Sequence, residues 1–88
     1  MRAIWKYELY WGQNSLILPV GATLLHFAIQ NDRPTLWALV DPEHKEHEER
    51  RVVVVGTGQA IIGLSSLRHL GTAISSGGIV LHALSEEA

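Results

Sequence analysis

The chain has 88 residues and 9.7 kDa, with 47% hydrophobic and 18% charged residues. It has room for one globular domain of roughly 12 Å radius of gyration, which excludes a two-domain enzyme and a chain too polar to fold. Its net charge is −2, from seven Lys and Arg against nine Asp and Glu, and it has no cysteine. Disulfide scaffolds, thiolate zinc sites and thiol catalysis are therefore excluded, and cations scattered among acids argue against nucleic-acid recognition.

Residues 2–11 alternate, with Ala3, Trp5, Tyr7, Leu9 and Trp11 on one side and Arg2, Ile4, Lys6, Glu8 and Tyr10 on the other, which predicts a half-buried strand. Gly12 to Ser15 reads as a turn and Leu16 to Leu18 as a short strand stopped by Pro19. Thr23 to Gln30 alternates again, placing Leu25, Phe27 and Ile29 opposite Leu24, His26, Ala28 and Gln30. Asn31 to Pro34 has turn composition, and Thr35 to Val40 is apolar on both faces, so this hairpin has a central or covered second strand. Residues 41–51 hold eight charged residues and two histidines and read as a flexible charged loop.

Val52 to Val55 is β-branched throughout, favours a strand, and again offers apolar side chains to both faces. Gly56-Thr57-Gly58 breaks it, and Gln59 to Arg68 fits a loop or a short helical turn. Leu70 to Ile74 and Ile79 to Leu84 predict a hairpin around Ser75 to Gly78, with a frayed tail over 85–88. Six to seven short strands in a single domain predict an all-β antiparallel sandwich or small barrel. Two strands apolar on both faces call for a cover, supplied by a second copy of the chain, a host protein, or the Gln59 to Arg68 segment folded across the sheet. A homodimer or higher oligomer is the expectation, since symmetric pairs are the commonest assemblies.

The uncharged stretch Leu70 to Ser85 is broken by glycine and serine and is shorter than the roughly 20 apolar residues of a membrane span, so no membrane association is expected. Lys6 and Glu8 interrupt what would be the core of a secretory signal.

Val52 to Gly58 has the outline of a dinucleotide-binding turn, but Ile61 holds the third glycine position of Gly-x-Gly-x-x-Gly and too little chain follows for the remaining elements. A weaker version of the motif is an anion-binding concavity made by the amides of Gly56, Thr57 and Gly58, with Arg33, Arg50 and Arg51 as phosphate partners. His44 and His47 lie close to several carboxylates but lack a third ligand of evident geometry, so no metal is expected. His26 and His82 read as structural histidines on sheet faces. No nucleophile elbow or isolated carboxylate pair is present, and neither catalysis nor a cofactor is expected.

Ile4-Trp5-Lys6-Tyr7, Leu18-Pro19-Val20-Gly21-Ala22, Trp37-Ala38-Leu39-Val40-Asp41-Pro42, Gly56-Thr57-Gly58 and the terminal Gly71-Thr72 with Val80-Leu81-His82 together span nearly the whole chain. In this pattern the sequence resembles a family of small uncharacterised proteins of tailed phages and prophages. The resemblance implies a compact β fold and a phage setting in the cytoplasm of a bacterial host, with no catalytic residues to carry over. By analogy, such accessory proteins act by binding. The leading expectation is an anti-CRISPR-like inhibitor of a host defence complex, whose Glu43, Glu46, Glu48 and Glu49 contact the host protein by mimicking phosphate charge. The alternatives are an oligomeric sponge for a nucleotide immune signal and a virion structural or assembly accessory.

Overall fold

The computed structural model describes residues 1–87; Ala88, the end of the expected frayed tail, lies outside them. The protein is all-β, with seven antiparallel-paired strands: β1 (Ala3–Glu8), β2 (Gly12–Pro19), β3 (Thr23–Gln30), β4 (Arg33–Val40), β5 (His47–Gly56), β6 (Leu67–Ile74) and β7 (Val80–Glu86). They form a three-stranded sheet of order β1-β4-β3 and a four-stranded sheet of order β2-β5-β7-β6. The expected class is correct, and the shape is the sandwich: the shortest dimension is 15 Å, as two sheets about 10 Å apart require.

Burial follows the pairing. Leu36, Ala38 and Val40 of β4 face Val52 and Val54 of β5 across the interior, joined by Leu16, Leu18, Leu24, Phe27, Leu81 and Ala83. As expected, Thr35 to Val40 forms the centre of a sheet. On one side the sandwich closes, because the edge strands β3 and β6 lie against each other. There Gly71 sits so close to Phe27 that an added Cβ would meet the Phe27 Cβ at 3.2 Å and its carbonyl oxygen at 3.4 Å. The tips of the two hairpins are clasped on this side by Ser76 Oγ donating to Asp32 Oδ1 at 2.7 Å.

Several boundaries differ from the sequence reading. The turn expected over Gly12 to Ser15 is the start of β2, and Asn14 is buried in it. Arg33 and Pro34 belong to β4; the turn is Asn31-Asp32 alone, both at positive φ, the two-residue geometry that matches strand twist. In β3 a bulge between Leu24 and His26 breaks the expected alternation, so Leu24 and Phe27 both reach the core while Leu25 and His26 stay outside. The charged loop is shorter than expected, since 47–51 pair with β2 residues Ser15 to Pro19. In the tail, Ser85 and Glu86 are part of β7 and the Glu87 amide donates to Ser66 O at 2.8 Å.

No helical turn forms in 59–68. Both β5 and β6 are antiparallel to β7, which lies between them, so they run parallel to each other. The connecting segment 57–66 starts near Leu81, the partner of Gly56, and ends near Glu86, the partner of Leu67. It must therefore travel back along the sheet by roughly 16 Å, as crossover connections do. It takes the outer face: Gln13, cross-strand partner of the outward Val53, donates from Nε2 to Ile62 O at 3.1 Å. Val53 and Val55 are only 4% and 5% exposed. Of the three covers considered for this face, the chain's own segment lies across it.

The Ser85 hydroxyl is the one buried side-chain polar atom without a partner among the described residues. Because an unpaired buried hydroxyl is costly, Ser85→Ala is expected to raise stability by about 1 kcal/mol. That corresponds to a thermal midpoint roughly 4–8 °C higher in a domain of this size. Circular dichroism melting checks this, and a lowered midpoint would show that the hydroxyl has a partner such as a bound water.

Candidate functional site

The four glutamates of the expected acidic surface do not share one face. Glu43 and Glu46 are exposed in the short segment before β5, which is pinned by Asp41: its carbonyl accepts from the His44 amide at 3.1 Å and its Oδ1 from the Glu43 amide at 3.0 Å. Glu48 and Glu49 are successive in β5 and point to opposite sides, Glu48 paired with inward Leu18 and Glu49 with outward Ile17. A hydrogen bond from Ser15 Oγ, and then the charge of Arg51, hold the Glu49 carboxyl below its ordinary range. The Arg51–Glu49 separation is 3.5 Å with both side chains half exposed, an ion pair that contributes little to stability.

The expected anion-binding residues are also dispersed. Arg33 lies at the β3–β4 hairpin, 3.6 Å from Glu8. Arg50 donates to Ala22 O at 3.2 Å and lies 3.8 Å from Glu48. Arg50 and Arg51 do open onto a groove of about 760 Å³, but Glu48, Glu49, Glu86 and Glu87 line it as well, along with Ser65 and Ser66. Four carboxylates against two guanidiniums, each already near a glutamate, make this groove a poor phosphate site.

Gly56, Thr57 and Gly58 are at the far end of β5, with only Gly58 of the three at positive φ. Their proposed concavity is partly filled from within: Gln59 Oε1 accepts from the Gly56 amide at 3.0 Å and from Trp11 Nε1 at 2.8 Å. Thr57 is also committed, its hydroxyl bonded to His82 Nε2 at 2.7 Å.

That last contact belongs to a polar chain with no signal in the sequence spacing. Because β7 lies between β5 and β6, His82 is flanked by Thr57 just after β5 and by Thr72 on β6, with Thr72 Oγ1 2.9 Å from His82 Nδ1 and 2.9 Å from His69 Nε2. Both ring nitrogens of His82 are thus hydrogen-bonded. Among the described residues no carboxylate is hydrogen-bonded to His82, His69, Thr57 or Thr72. His44 Nδ1 accepts from the Glu46 amide at 3.2 Å, and His47 starts β5. Among the described residues no three ligating side chains converge.

The outer face of the three-stranded sheet is different in kind. Ile4 and Lys6 of β1, Trp37 and Leu39 of β4, and His26 of β3 share it by register, with the bulged Leu25 beside them. Trp37 sits at the centre, its ring centroid 6.0 Å from that of His26. Lys6 Nζ reaches across to donate to Gln30 Oε1 at 2.9 Å. Ile4 and Leu25 are exposed and Trp37 and Leu39 half-buried. The result is a half-buried aromatic side chain between aliphatic neighbours, with a polar margin.

No curated protein and no solved structure matches the chain. Residues 1–88 match the family described as Domain of unknown function (DUF7352), and the chain belongs to that family.

Proposed function

We propose that this protein acts by binding another protein through the outer face of its β1-β4-β3 sheet, with Trp37 as the anchor. One observation carries the reading. Of the two strands that are apolar on both faces, β5 has its outward Val53 and Val55 buried under the chain's own segment 57–66, whereas the outward Trp37 and Leu39 of β4 stay only half-buried beside the exposed Ile4 and Leu25. A buried aromatic anchor with a polar margin is the usual energetic centre of a protein interface. The more specific form, a phage-encoded inhibitor of a host defence complex, rests on the motif resemblance. A nucleotide sponge draws less support, because Arg33, Arg50 and Arg51 each lie within 4 Å of a glutamate.

The test is affinity capture from a bacterial host lysate, with the retained protein identified by mass spectrometry and its affinity then measured with purified components. Trp37→Ala is expected to weaken binding by about 30-fold or more. Leu39→Lys, verified as folded by circular dichroism, is expected to do the same, while Glu43→Gln with Glu46→Gln retains the partner. Loss of the partner in the glutamine variant but not in Leu39→Lys would move the interface to the acidic segment and overturn this reading.

A further inference from the structure

We propose that the free edge of β1 is a self-association site, at which a second copy of this chain adds its own β1 antiparallel in one defined register. The edge is open: β1 has extended contact with β4 alone among the strands, whereas β3 and β6 close the opposite side of the sandwich. Its polar backbone groups can be assigned to sides. The Leu9 amide donates to Pro34 O at 2.8 Å and continues the β1–β4 register by one pair. In an antiparallel ladder alternate residues direct both backbone groups to the same neighbour. Ala3, Trp5, Tyr7 and Leu9 therefore bond towards β4, and Arg2, Ile4, Lys6 and Glu8 present their N–H and C=O groups to the open edge.

Charge selects among the symmetric registers. With Trp5 opposite the partner's Trp5, Ile4 faces the partner's Lys6 and Arg2 faces the partner's Glu8, so the two outer pairs are oppositely charged. Moving the centre one residue towards the N-terminus sets Arg2 against the partner's Lys6 twice. Moving it one residue towards the C-terminus sets Lys6 against the partner's Lys6, and directly opposed like charges are destabilising. Centring on Tyr7 leaves little of the strand paired.

Edge lysines commonly guard against such pairing. Here the Lys6 ammonium is drawn back over its own sheet to Gln30 on β3, which leaves the edge unguarded. Apolar side chains are at hand on both faces, with Ile4 60% exposed on the outer one and Trp5 39% exposed on the inner one. The other open edge, β2, ends in Pro19 and has no charged residue to set a register.

The pairing makes one six-stranded sheet from two three-stranded ones and lengthens the outer face, independently of whether that face binds a protein. A single strand edge lies at the small end of interface sizes, below about 1,200 Å² in total, so association is concentration-dependent. Sedimentation equilibrium of the full chain at about 100 µM is expected to give twice the 9.7 kDa chain mass. A monomer mass at that concentration overturns the proposal.

The register is read by cysteine, which the parent lacks. Residues at a non-hydrogen-bonded antiparallel position have Cα atoms about 4.5 Å apart, within disulfide reach. Oxidised Trp5→Cys is thus expected to run as a covalent dimer, whereas Ala3→Cys and Tyr7→Cys cross-link only when mixed. Covalent dimers of Ala3→Cys alone or Tyr7→Cys alone would overturn the register. A charge exchange keeps the aromatic residues in place: Arg2→Glu and Glu8→Arg each weaken the dimer by about 10-fold, and the double variant restores it. Failure of the double variant to restore it would likewise overturn the pairing.

Discussion

Asn14→Leu is expected to lower stability by about 3 kcal/mol, a large share of the roughly 5–15 kcal/mol that holds a small domain folded. Asn14 stands where the chain leaves the β1 sheet for the β2 sheet. Its Oδ1 accepts from the Tyr10 amide at 2.8 Å, and its Nδ2 lies within hydrogen-bond reach of the carbonyls of Tyr10 at 2.9 Å, Gly12 at 3.1 Å and Val52 at 3.3 Å. One buried amide thus closes the corner onto itself and ties it to β5. Leucine has the same branched shape, with bulkier methyl ends, but leaves one donor and the carbonyls without their partner, each orphan costing about 1 kcal/mol or more. Asn14→Asp separates the two halves of the clamp, since it keeps the acceptor for Tyr10 and turns a carboxylate oxygen towards the carbonyls. It is expected to be at least as damaging at neutral pH and to recover partly in acid. Urea denaturation followed by circular dichroism measures both, and a loss under about 1 kcal/mol for Asn14→Leu would mean that water takes over the corner.

Gly71→Val is expected to cost about 3 kcal/mol, while Gly71→Ala costs about 1 kcal/mol or less. The reason is location rather than backbone freedom. The position faces Phe27 across the seam where β3 and β6 meet, and the nearest atoms are the Phe27 Cβ and carbonyl oxygen, which move only if β3 moves. Alanine needs a shift of a few tenths of an ångström and gains from a stiffer unfolded chain; valine adds two carbons where there is no room. Trimming the ring with Phe27→Leu is expected to leave the valine penalty in place, because the close contacts are not with the far end of that side chain. If Phe27→Leu restored the stability of Gly71→Val, the clash would lie in the ring instead. Thermal melts of the four proteins in the double-mutant cycle read this directly.

The two readings of surface use depend on different features of the same sheet. Protein binding rests on the face around Trp37, and self-association on the edge of β1. A variant such as Leu39→Lys that loses the partner protein and still dimerises, or a double charge exchange that dimerises and still binds, would show that the two are separable.

Much of the architecture was legible in the sequence. Period-two alternation and β-branched runs specify strands through local sterics and through the need to hide one face, so the all-β class, the β3–β4 and β6–β7 hairpins and the central position of β4 follow from residues such as Thr35 to Val40 and Ser75 to Gly78. Charge, by contrast, concealed a strand: His47 to Arg51 reads as loop because five polar residues carry no burial pattern, yet pairing with Ser15 to Pro19 satisfies their backbone wherever the side chains point. Only the tertiary structure decided which apolar face is covered and which polar groups meet. Strand order placed β7 between β5 and β6, which sent segment 57–66 over Val53 and Val55 and brought Thr57, Thr72 and His69 to His82. Once 47–51 is a strand, its pleat sends Glu48 and Glu49 to opposite sides, and on the other sheet Trp37 stays half-buried on the outer face. Local sequence fixes the conformation of a segment because the forces that choose it act between near neighbours. Contacts between distant residues depend on how strands are ordered, and many strand orders satisfy the same alternation.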